Sequence, residues 1–212
     1  MSGQELYLVR HGQSISNVEH RLCGEPPGPG LTELGRRQAE AAAAALLTRA
    51  RRPIHVVSSP LLRAWQTADA LAHKLGRAPA IEVQLRETRF GAWEGRSAAE
   101  LQDSPAYRDW QLDPENGAPP GVERVSRAGA RALAAVTAIA VARPHETLIA
   151  YSHQHVLLGF ARLCGVEAEE RWFPNAAALH AVREGVGWRV LAVDRTASGG
   201  DVLRPTARMV RA

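Results

Sequence analysis

A chain of 212 residues with 45% hydrophobic content can bury one substantial core and has an ordinary length for a single α/β domain. Its net charge of +4 and pI near 9.7 are carried by arginine, Lys74 being the only lysine, and the arginines are scattered without a clustered run or an aromatic-interleaved stripe, which argues against nucleic acid as a partner. Cys23 and Cys164 are too few for a disulfide framework, the first five residues carry no secretion-type leader, and arginine or glycine interrupts the longest apolar stretches, so a cytoplasmic protein with no membrane span is expected.

The apolar run Leu6-Tyr7-Leu8-Val9 has strand character and delivers Arg10-His11-Gly12 to a sheet edge, ahead of Gln13-Ser14-Ile15-Ser16-Asn17. The glycine permits a tight turn and close backbone approach to a ligand, while arginine, serine and asparagine are donors suited to an oxyanion such as phosphate. A proline- and glycine-rich loop over 24–30 follows as a stiff pocket wall, and Thr32-Glu33-Leu34-Gly35 opens a helix running to 51. Ile54-His55-Val56-Val57 is a second strand. Ser58-Ser59-Pro60 then caps and starts a helix over 60–75 that carries Arg63 one turn in, pointing back to the sheet edge.

Leu85-Arg86-Glu87 precedes Phe90-Gly91-Ala92-Trp93-Glu94-Gly95, a glycine-punctuated aromatic segment suited to a loop or lid. Across 94–121 strand character gives way to Pro105, Tyr107, Trp110, Pro114, Pro119 and Pro120, which predicts a small cap insertion over the pocket. A helix over 122–142, the strand Thr147-Leu148-Ile149-Ala150-Tyr151-Ser152 and a helix over 154–164 come next, with His153 at the strand's end. Ligands of open α/β sheets sit beyond the carboxyl ends of strands, so His11 and His153 can face one pocket. Segments 178–183 and 188–193 read as a hairpin, and 196–212 as a flexible tail. The order predicts a three-layer α/β/α fold over 1–195, with a mostly parallel central sheet and one antiparallel edge strand.

Arg10-His11-Gly12, Ser58-Ser59-Pro60 with Arg63, Leu85-Arg86-Glu87 with its aromatic-glycine segment, and Ser152-His153 together closely resemble the histidine phosphatase superfamily, also called phosphoglycerate mutase-like. The resemblance implies that His11 attacks phosphorus as a neutral imidazole and becomes a phosphohistidine. Arg10, Arg63 and His153 would surround the phosphoryl oxygens, and neither metal nor other cofactor is implied. Glu87 matches the proton donor, and burial is expected to keep it a neutral acid. Asn17 matches a further phosphate-pocket position, with a helix cap as the competing reading. Gly24, Arg89 and Gln154 are candidate substrate contacts, whereas packing is the favoured role of Trp93 and Trp110. Gln154-His155 stands where the family usually has a small residue, which either removes a backbone contact to phosphate or supplies a side chain for an unusual substrate. His20, His55, His73, His145 and His180 share no metal-ligand spacing and read as structural or solvated.

The resemblance points to a phosphomonoesterase acting on a small phosphorylated metabolite such as a sugar phosphate. Mutases of the superfamily carry a longer insertion and a His or Tyr where this chain has Phe90 before Gly91, so water is the expected acceptor. A cofactor-dependent phosphoglycerate mutase is the enzymatic alternative, and a non-catalytic phospho-ligand-binding protein is the alternative from another class, although a binder has no need of Glu87. A homodimer is neither required nor excluded by the sequence.

Overall fold

Alternate side chains of the first strand, β1 (Glu5–Arg10), leave the sheet in opposite directions: Leu6 and Leu8 enter one core and Tyr7 and Val9 another. A strand apolar on both sides has to be covered on both faces, which is the requirement of a parallel sheet. The computed structural model describes residues 3–25 and 27–204, and at Glu170 the backbone alone. After β1 come α1 (Ile15–Val18), α2 (Glu33–Arg49), β2 (Ile54–Ser58), α3 (Leu62–Lys74), β3 (Ala80–Ile81), α4 (Ala98–Leu101), α5 (Pro105–Leu112), α6 (Val125–Ala142), β4 (Thr147–Ser152), α7 (Gln154–Leu163), β5 (Ala178–Glu184), β6 (Gly187–Asp194) and β7 (Val202–Leu203).

The strands form one sheet in the order β3-β2-β4-β1-β5-β6-β7. β3, β2, β4 and β1 are parallel, and the antiparallel edge is wider than the single strand expected, comprising β5, β6 and β7. β7 and a 3-10 turn at Thr196–Ser198 take residues from the segment assigned to a flexible tail, and its last part, 205–212, lies outside the described residues. α2 and α3 cover one face through Ala43, Leu46, Ala68 and Leu71, while α6 and α7 cover the other through Ala128, Ala132, Val156 and Phe160. Full burial of Leu6 or Leu8 contributes on the order of 2 kcal/mol each.

α6 corrects one expectation. Its 18 residues have a mean hydropathy of 1.4, long and apolar enough to cross a membrane by length and composition. Here the side chains of Val125, Ala128, Ala132, Val136 and Ala140 instead join the core shared with α7. Its start at Val125, three residues later than expected, follows a stretch in which Glu123 accepts from Arg131. Within the insertion, Ser97 and Ser104 cap α4 and α5, so the proline-rich cap is partly helical. Phe90, Trp93, Leu101, Tyr107 and Trp110 give it a core of its own.

Candidate active site

Strand register assembles the site. Arg10 pairs with Ser152 across the parallel β1–β4 ladder, so the residues that follow, His11 and His153, leave adjacent strands side by side, with ring centroids 5.2 Å apart. On the other flank of β4, Ser58 pairs with Tyr151, and the next residue, Ser59, meets His153 Nε2 through Oγ at 2.8 Å. Three strand ends thus supply neighbouring groups, and all three of these side chains are buried.

His11 has one tautomer that satisfies both of its neighbours. Nδ1–H donates to the Gly12 carbonyl at 2.7 Å, which leaves the Nε2 lone pair to accept from Arg63 Nε–H at 3.0 Å. Burial, followed by the adjacent guanidiniums of Arg63 and Arg10, holds the His11 pKa well below the ordinary histidine value against the raising effect of the Gly12 hydrogen bond. His153 is likewise held low, by burial first and then by Arg63 and His11. Both rings are therefore neutral at neutral pH, and His11 presents an unprotonated nitrogen. Gly12 lacks a side chain for a reason other than the expected ligand approach: a Cβ there would lie 2.3 Å from the Gly35 carbonyl oxygen at the start of α2.

Arg63 reaches back from the first turn of α3, as its position predicts. Its Nη2 donates to the Cys23 carbonyl at 2.7 Å, and Nη1 is buried with no hydrogen-bond partner. Arg10 donates through Nη1 to the Phe173 carbonyl at 2.6 Å. Asn17 is the helix cap of one reading, and it also lines a cavity. It occupies the third position of α1 in a capping box with Ser14, and its Oδ1 accepts from Ser14 and from Asn175 Nδ2, which directs its amide Nδ2–H donors elsewhere. Arg10, His11, Asn17, Arg63, Glu87 and Gln154 all line one cavity of about 110 Å³, a volume suited to a phosphoryl group.

Glu87 departs from expectation in its charge. Its carboxylate accepts from the Thr88 N–H at 2.9 Å and lies 3.7 Å from His155 Nδ1, while Arg131 Nη2 braces the Glu87 carbonyl at 3.0 Å. Burial pushes the acid up, but the hydrogen bond and charge of His155, the Thr88 amide and Arg63 together bring it below the usual glutamate value. The free protein therefore holds a carboxylate, where burial alone predicts a neutral acid.

Two candidate substrate contacts are not brought to the cavity. The Gly24 N–H donates to Glu94 Oε1 at 2.7 Å, and a Cβ at Gly24 would meet the Thr88 carbonyl oxygen at 2.1 Å, so this glycine serves close packing. Arg89 is exposed, and its backbone N–H is held by Glu123. Trp93 and Trp110 pack within the cap, as favoured, with ring contacts to Tyr107 at 5.5 and 5.7 Å. Trp110 also lines an outer vestibule of about 520 Å³ with Tyr107, Arg21, Gln111, Asn175 and the exposed His20. Arg10, Ser16, Asn17, Arg21, Leu22, Gln154 and His155 line both spaces.

Sequence reasoning missed Ser59, Asn175 and the Glu123–Arg131 brace, and left His155 unassigned. A serine directly after a strand was the available signal for Ser59. Asn175 enters from a loop before β5 that carries no motif.

The family model described as the histidine phosphatase superfamily (branch 1) matches residues 6–196. Glucosyl-3-phosphoglycerate phosphatase of Mycobacterium tuberculosis is 37% identical over 146 residues, covering 68% of this chain and 64% of that protein, so the chain matches a little under two thirds of the relative's length. A probable phosphoglycerate mutase GpmB of Yersinia pestis is 35% identical over 113 residues, covering 53% of this chain and 50% of the other. Among solved structures, a mycobacterial glucosyl-3-phosphoglycerate phosphatase in complex with VO3 superposes with a TM-score of 0.75 at 31% identity, covering 88% of this chain and 96% of that one. YhfR of Bacillus stearothermophilus gives a TM-score of 0.75 at 30% identity over 88% and 95%.

Proposed function

Because the chain belongs to the histidine phosphatase superfamily (branch 1), we propose that it is a phosphomonoesterase that hydrolyses a sugar-bearing phosphate ester through a phosphohistidine at His11. The observation that carries this reading is the unprotonated Nε2 of His11 at the 110 Å³ cavity, with the buried, unpartnered Nη1 of Arg63 and the carboxyl group of Glu87 on the same lining.

The steps follow from those groups. His11 Nε2 attacks phosphorus in line, forming the N–P bond as the bond to the ester oxygen breaks. Arg10 and Arg63 offer positive charge and, with the Asn17 amide, donors to the equatorial oxygens, where charge collects, whereas His153 is not on the cavity lining and stands beside His11. Glu87, once protonated, gives its proton to the departing alkoxide. Its carboxylate then takes a proton from the water that attacks the phosphohistidine, releasing phosphate and restoring the neutral imidazole. Since the free protein holds Glu87 ionised, the proton must arrive with or after the ester, whose negative charge beside the carboxylate favours protonation.

The vestibule supports the choice of ester. Trp110 and Tyr107 line it with aromatic surface suited to the apolar side of a sugar ring, and Gln111 and Arg21 offer donors to hydroxyls or a carboxylate. The relatives named as glucosyl-3-phosphoglycerate phosphatases make that compound the first ester to test. Likeness to a probable mutase keeps transfer between phosphoglycerates as the second reading, tested by interconversion of 2- and 3-phosphoglycerate.

Two assays test the proposal: turnover of p-nitrophenyl phosphate and a panel of sugar phosphates, and rapid-quench mass spectrometry of the His11 peptide. A phosphorylated His11 and loss of turnover in His11→Asn are expected. An unlabelled His11 together with an active His11→Asn variant would falsify the assignment.

A further inference from the structure

His155 is a buried side chain that meets both Glu87 and the cap. It sits at the second position of α7, 7% exposed, with Nδ1 3.7 Å from Glu87 Oε1. Its ring meets Phe90 edge-on at 6.0 Å and Trp110 at 5.5 Å, both in the cap cluster. From the other elements around Glu87 come Arg63 on α3, His11 after β1 and His153 before α7, with Arg131 of α6 on the Glu87 carbonyl. Phe90 and Trp110 add no charge, so His155 is the titratable partner in direct reach of the carboxylate.

We propose that His155 is a positioning residue that stores the proton later used by Glu87, the two side chains sharing one proton through the catalytic cycle. In the free enzyme one proton belongs to the pair, whose Nδ1 and Oε1 stand 3.7 Å apart, and entry of the ester has to bring the two atoms within hydrogen-bond reach. When a phosphate ester enters the cavity, its negative charge draws the proton across. The N–H bond of His155 breaks, the O–H bond of Glu87 forms, and His155 is left neutral. Glu87 then protonates the leaving alkoxide. In the second half-reaction, the proton that Glu87 takes from water returns to His155 as phosphate departs, and no other reactant is needed. The aromatic contacts from Trp110 and Phe90 orient the ring, so a seated cap is part of the device. This inference rests on the phosphatase reading given above.

The assignment predicts that His155 matters most where the leaving group needs a proton. In His155→Asn and His155→Gln, kcat/KM for glucose 6-phosphate should fall at least about 100-fold, the scale of general-acid catalysis, while p-nitrophenyl phosphate, whose leaving group is already stable as an anion, should fall at least about tenfold less. The alkaline limb of the pH profile for the sugar ester should move acidward by about one unit or more, because a lone carboxyl group loses its proton earlier than a carboxyl–imidazole pair. Should both variants melt below the assay temperature, NMR of the wild-type His155 ring supplies the readout: saturation with inorganic phosphate should shift the ring toward its neutral form. An unmoved alkaline limb, equal slowing of both esters, or an imidazole that stays charged in the phosphate complex would overturn the relay. Wild-type turnover accompanying such a result would leave the phosphatase reading standing, whereas absence of turnover with either ester would sink both.

Discussion

Replacing Arg63 by lysine separates the geometry of the phosphate cradle from its charge. Arg63 is 3% exposed and holds three groups in a fixed fork: Nε on His11, Nη2 on the Cys23 carbonyl, and a buried Nη1 with no protein partner. A lysine ammonium keeps the charge but presents a single point and cannot reproduce the fork. Removing one preorganised donor from a developing oxyanion costs about 2.7–4 kcal/mol, and retention of the charge should hold the loss near the lower end, at about 2–3 kcal/mol. At about 1.36 kcal/mol per decade this is a fall in kcat of roughly 30- to 150-fold. Since the fork acts on charge that appears in the transition state, KM should change by less than about threefold. Steady-state kinetics with p-nitrophenyl phosphate, alongside a melt to verify folding, measures both. A kcat within about fivefold of the wild type, or a loss confined to KM, would refute the role given to the fork.

Stability should fall on acidification. The unfolded chain protonates His11 and His153 near the ordinary histidine value, about 6.5, whereas the folded chain resists protonation well below it, so between those limits the unfolded state binds more protons. Each ring then removes up to about 1.4 kcal/mol per pH unit below about pH 6.5, and nothing above it, and urea midpoints for the wild type and His153→Asn should diverge in that acid window. Trp110→Ala removes a ring that contacts Phe90, Trp93, Tyr107 and His155, and should raise KM for a glucosylated ester more than for p-nitrophenyl phosphate; equal effects on both would deny the vestibule its role. Gly159→Ala would put a Cβ 2.2 Å from the Val125 carbonyl oxygen, forcing α6 from α7 at a cost of about 1–3 kcal/mol, and a thermal midpoint within about 1 °C of the wild type would contradict that packing.

Much of the fold and the centre of the site could be read from the chain because the chemistry hangs on strand ends. An apolar run followed by His reads the same at His11 and at His153, and once both runs are strands of one parallel sheet, register brings the two rings together. Arg63 was legible for a similar reason, since a capped helix start fixes where its first turn points. Gly24 and Arg89 were not, because their places depend on tertiary partners, Glu94 and Glu123, that lie 70 and 34 residues away. β3 and β7 are two-residue strands whose pairing follows from neighbours already in place, not from their own pattern. α7 was foreseen as a helix, but a turn of helix does not say which of Gln154 and His155 faces a carboxylate contributed by a distant loop.

The charge of Glu87 illustrates the same limit and leads back to mechanism. Burial, the only influence visible in sequence, acts in the raising direction, whereas the folded neighbourhood reverses it. With His11 and His153 neutral, Arg10 and Arg63 bring two positive charges to the inner cavity and Glu87 one negative charge, and the proton shared between His155 and Glu87 raises the excess to two positive charges. At the mouth, Arg21 is paired with Glu19 and Glu100, so it adds little to that excess. A dianionic ester therefore balances the pocket, and moving the shared proton from His155 to Glu87 leaves that total unchanged while it removes the negative charge of the carboxylate that faces the ester. Glu87 is the buried acid whose protonation both removes the carboxylate's repulsion of the ester and arms the departure of the alkoxide. An ionised donor in the free protein is thus consistent with general-acid catalysis, because substrate binding itself supplies the electrostatic reason for the proton to move.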